Sequence, residues 1–135
     1  MSTFEILPPG RAWYPGLEQR AQSLVDGAKG DRGQLAALSL LFRDPGLTFF
    51  APEVLDAYTV GADVRWLQLH WWAAGLYSAA YAIESHRRSR SVIMLACSMA
   101  SEVCEVRLGD ALAELDEDTR KAFVDAMAYF AGRVD

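Results

Sequence analysis

The sequence predicts an all-α fold: a compact single-domain bundle of five to seven helices. Three observations predict it. Apolar residues recur at three- and four-residue spacing in one segment after another. No segment alternates apolar and polar residues over a convincing strand length. The stretch from Asp63 to about Ser85 has no internal Pro and reads as a long helix that is apolar on nearly all sides, the mark of a central helix. The chain has 135 residues, 52% hydrophobic and 23% charged, so it has ample apolar surface to offset chain entropy and intrinsic disorder is excluded. That length suits one domain, residues 17–135, behind an irregular N-terminal arm, 1–16.

The arm is irregular because Pro8, Pro9, Gly10, Pro15 and Gly16 interrupt it. Its Phe4, Ile6, Leu7, Trp13 and Tyr14 carry enough apolar surface that the arm is expected to pack on the body or on a partner. The run Ile6-Leu-Pro-Pro-Gly-Arg-Ala-Trp13 resembles a short stretch near the start of some phage tail proteins. The likeness covers eight residues, and no fold or activity is carried over from it.

Leu17, Ala21, Leu24 and Ala28 set a first helix of about three turns, ended by Gly27 and Gly30. Asp31 with Gln34 forms a capping-box pattern for a second helix, with Leu35, Leu38 and Phe42 inward. Asp44-Pro45-Gly46 stops it. Phe49 and Phe50 fall in a loop, and Pro52 fits the first position of a short helix through Tyr58. The central helix follows. Projected at 100° per residue, it puts Leu67, Trp71, Ala74, Ser78 and Ala82 on one side and Leu69, Trp72, Leu76, Ala80 and Ile83 on the other. Gln68, Gly75 and Ala79 form a strip small enough for close helix approach. A fourth strip holds Trp66, His70, Ala73, Tyr77, Tyr81 and Glu84. Next, Ser91 caps a helix to about Leu108, with Val92, Leu95, Ala96, Met99, Val103 and Val106 apolar. Leu108, Leu112 and Leu115 carry the stripe past a bend at Gly109. Asp116-Glu117-Asp118 opens the last helix, opposing its positive dipole end, with Phe123, Met127, Phe130 and Val134 inward.

Charge narrows the functional classes. Thirteen basic and eighteen acidic side chains give a net charge of -5, which disfavours nucleic acid and anionic lipid. Trp66 to Ile83 is an uncharged run of 18 residues followed by cations, which resembles a membrane span. Gln68, His70 and Ser78 punctuate it, and mean hydropathy is only +0.05, so a buried helix is expected and no membrane partner. Met1 to Tyr14 has neither a basic n-region nor an apolar run, so the expected location is cytoplasmic. Cys97 and Cys104, about 10 Å apart along a helix, are too far apart to bridge and read as small buried hydrophobes.

Specific chemistries find little support. The two histidines, His70 and His86, belong to no Glu-x-x-His or His-Glu-x-x-His pattern, so no metal is expected. There is no nucleophile elbow and no glycine-rich phosphate loop. No catalytic residue and no cofactor is therefore assigned. The basic turn of His86, Arg87, Arg88 and Arg90 reads as a solvated turn after a helix end, where cations favour the dipole. Phosphate contact or pairing with an acidic surface is the competing reading. The candidate binding residues are the strip Trp66, His70, Tyr77, Tyr81 and Glu84, whose aromatic tips and hydrogen-bonding groups suit an interface anchor. Packing beneath Trp13 and Tyr14 of the arm is the alternative for the same strip.

The expected function is non-catalytic protein binding: an acidic helical adaptor or antagonist, of immunity or chaperone type, meeting a basic partner. A homodimer is compatible with the sequence. A bundle that binds a small apolar ligand or cofactor beside His70 is the second expectation, and an enzyme of undefined class the third.

Overall fold

The computed structural model describes residues 5–6, 17–43, 59–60, 68–69, 87–101 and 106–132. These residues are all-α apart from one minimal strand pairing. The elements run α1 (Leu17–Gly27), α2 (Arg32–Phe42), β1 (Thr59–Val60), β2 (Gln68–Leu69), α3 (Arg87–Ala100), α4 (Leu108–Ala113) and α5 (Glu117–Phe130).

The junction of α1 and α2 follows from local chemistry. Lys29 (φ 51) and Gly30 (φ 78) take left-handed backbone, a conformation that ends a helix and that glycine adopts without steric cost. Asp31 is the N-cap, and its carboxylate accepts from the Gln34 backbone N–H at 2.9 Å. The Asp31 N–H donates to the Ala28 carbonyl at 3.0 Å, which ties the cap to the turn before it.

From Ala36 to Phe42 every residue of α2 is buried. Among the described residues, α2 is thus the element enclosed on all sides, packed against α1, α3 and α5. The one polar side chain in that run, Ser39, donates its hydroxyl to the Ala36 carbonyl at 2.7 Å. Around α2 the core gathers Ala21 and Leu24 of α1, Val92, Leu95, Ala96 and Cys97 of α3, and Phe123 and Ala126 of α5. Close approach matters at Gly33. A Cβ there would lie 2.6 Å from the Met99 carbonyl oxygen of α3 and 3.2 Å from the Phe130 ring of α5.

Two arginines join distant segments. Arg32 donates through Nε to the Tyr129 carbonyl at 2.9 Å, and its guanidinium lies 4.1 Å from the Tyr129 ring centroid. The contact puts a cation on an end carbonyl of α5, where the helix dipole favours it. Arg43, the C-cap of α2, donates to the carbonyls of Ser39 and Ile6 at 3.0 and 3.2 Å and also to that of Glu5. The half-buried Ile6 packs against the core beside it.

Four expectations need correction. Gln68–Leu69 is extended, not helical: it pairs antiparallel with Thr59–Val60, Thr59 opposite Leu69 and Val60 opposite Gln68. A helix cannot run through those residues from Asp63. In a run apolar on every side, helical projection has no polar face to fix its phase, and the partner strand lies outside the window. The rest of Asp63–Ser85 lies outside the described residues, as do the expected loop at Phe49 and Phe50 and the helix from Pro52 to Tyr58. Second, the helix expected to begin after a Ser91 cap begins at Arg87. Ser91 is buried within α3 and donates its hydroxyl to Glu114 Oε2 at 2.8 Å. Arg87, Arg88 and Arg90, expected in a turn, are therefore helical and belong to α3, while His86 lies outside the described residues. Third, α3 ends at Ala100 and a separate α4 starts at Leu108, with Gly109 inside its first turn. Fourth, Met127 and Phe130 are exposed, although one ring edge of Phe130 lies against Gly33, and Val134 lies outside the described residues. The inward face of α5 is Thr119, Ala122, Phe123, Ala126 and Tyr129, whose alanines let it sit close to α2.

Candidate functional site

Of the sequence-predicted site residues, Trp66, His70, Tyr77, Tyr81, Glu84 and His86 lie outside the described residues. Arg87, Arg88 and Arg90 occupy the first turn of α3. The described surface offers two features that the sequence reading did not single out.

The first is the outer face of α5. The helix is fixed at its start by Asp116, whose carboxylate accepts from the Thr119 N–H at 2.8 Å, with Glu117 and Asp118 in the first turn where negative charge is favoured. Arg120 holds it to α4 by donating Nε to the Leu112 carbonyl at 2.9 Å. With the inward face given to Thr119, Ala122, Phe123, Ala126 and Tyr129, the residues at 124, 127 and 130 are turned out. Val124 is 62% exposed, Met127 43% and Phe130 42%. Single exposed apolar residues are ordinary, but three at successive three-residue steps make a continuous stripe. Phe130 closes the stripe against α2, one ring edge lying over Gly33. Leu108 of α4 is a further large apolar residue, 51% exposed. From residue 107 to 125 the exposed charges are six acids, Asp110, Glu114, Asp116, Glu117, Asp118 and Asp125, against three bases, Arg107, Arg120 and Lys121. The segment that leads into the stripe is therefore net acidic.

The signal for this stripe was present in the sequence. Residues 119, 122, 123, 126 and 129 and residues 124, 127 and 130 form two helical phases of α5. The phase built on Ala122 and Ala126 lets helices approach closely, and it leaves the larger side chains of the other phase outside.

The second feature is a recess of about 280 Å³ between α3 and α4, lined by Ser91, Met94, Val106, Arg107, Asp110, Ala111 and Glu114. Its polar groups engage each other. Ser91 donates to Glu114, and Arg107 lies 3.8 Å from Asp110 in an exposed pair that adds little stability.

Among the described residues no three His, Cys, Asp or Glu side chains come together in a way that could hold a metal ion. Cys97 is buried among core side chains, and Cys104 lies outside the described residues. No helix among the described residues is long and apolar enough to cross a membrane. Compared with family models, with curated proteins and with solved structures, the chain matches none.

Proposed function

We propose that this chain is a non-catalytic protein-binding module, an acidic helical adaptor or antagonist of the immunity or chaperone type. Its partner is a protein with a basic rim around an apolar patch, and it docks on the outer stripe of α5. The observation that carries this reading is the exposure of Val124, Met127 and Phe130 on one helix face. Burial of such a stripe supplies binding free energy at roughly 25 cal/mol per Å² of apolar surface before the costs of association are counted. The six-to-three excess of acids on the same part of the chain supports a basic partner, because opposite charge steers encounter and disfavours acidic competitors. A cytoplasmic location belongs to the same reading and rests on the sequence, whose two cysteines read as packing residues.

The test uses a photo-crosslinking residue at position 127 and, as a control, at exposed position 22 on α1. The expected result is a discrete crosslink to a basic protein from position 127 only. Val124→Asp combined with Phe130→Ser should abolish it while the circular dichroism spectrum stays unchanged. Equal crosslinking from both positions, or a crosslink only to a second copy of this chain, overturns the reading.

A further inference from the structure

We draw no further inference here: the strongest candidate, the recess between α3 and α4 lined by Ser91, Met94, Val106, Asp110 and Glu114, carries nothing because its carboxylates are already engaged by Ser91 and Arg107 of its own wall and no second observation in it points to a ligand.

Discussion

Gly33 and Gly109 are a matched pair that tests the packing directly. Each is the second residue of its helix, α2 for Gly33 and α4 for Gly109. Helix propensity alone therefore predicts the same gain for both on substitution by alanine, up to about 1 kcal/mol. The surroundings predict opposite signs. A Cβ on Gly33 meets the Met99 carbonyl oxygen at 2.6 Å, whereas ordinary contact begins near 3.4 Å, so about 0.8 Å of movement is required. The atom in the way is backbone of α3, which cannot rotate aside as a side chain could. Overpacking of this kind costs about 1–3 kcal/mol. After a propensity gain of about 1 kcal/mol is subtracted, Gly33→Ala should destabilise by up to about 2 kcal/mol, a fall in Tm of up to about 8 °C for a domain of this size. A Cβ on Gly109 meets nothing within 4 Å, so Gly109→Ala should raise Tm by a few degrees. Thermal melts followed at 222 nm, with urea midpoints as a second measure, decide it. The crossing of α2 over the end of α3 is refuted if Gly33→Ala melts at or above the wild-type temperature.

Two further predictions concern the arginines that join distant segments. Arg32→Ala removes a charged hydrogen bond and a ring contact, so it should cost about 2 kcal/mol; Arg32→Lys should recover less than half, because an ammonium lacks the fork that reaches the Tyr129 carbonyl while lying over its ring. Urea midpoints check both, and a lysine variant as stable as wild type would show that the fork geometry contributes nothing. Arg43→Ala should release Glu5 and Ile6, moving the Ile6 methyl resonances toward their random-coil positions while those of Leu38 and Leu41 hold. Unmoved Ile6 methyls would mean that core contact alone holds that segment.

Much of the helical architecture could be read from local chemistry, and the failures share a cause. The first two helices were legible because their boundary is encoded within a few residues: a left-handed Lys29-Gly30 turn, then Asp31 as cap. The start of α5 was legible for the same reason, through Asp116 and the acids behind it. The start of α3 was not. Ser91 carries a strong cap signal, yet its hydroxyl is used by Glu114, a partner 23 residues away that no local window contains. The pairing of Gln68–Leu69 with Thr59–Val60 was hidden in the same way, because its hydrogen bonds are made to another segment. The outward turn of Met127 and Phe130 was hidden by a preference for large side chains as core. Packing against α2 favoured the smaller Ala122 and Ala126, and that choice exposed the stripe proposed as the docking face. The enclosed helix the sequence placed at Asp63–Ser85 has, among the described residues, its counterpart in α2. Its run of Leu35, Leu38 and Phe42 suggested one inward face, although Ala36–Phe42 is buried all round.

Native-state hydrogen exchange along α2 tests that enclosure most directly. If the other helices wrap it, the amides of Leu38–Phe42 open only with global unfolding, and their exchange free energies equal the stability measured in denaturant. Exchange of those amides through local opening, at free energies no higher than those of the exposed turns of α1, would contradict the account.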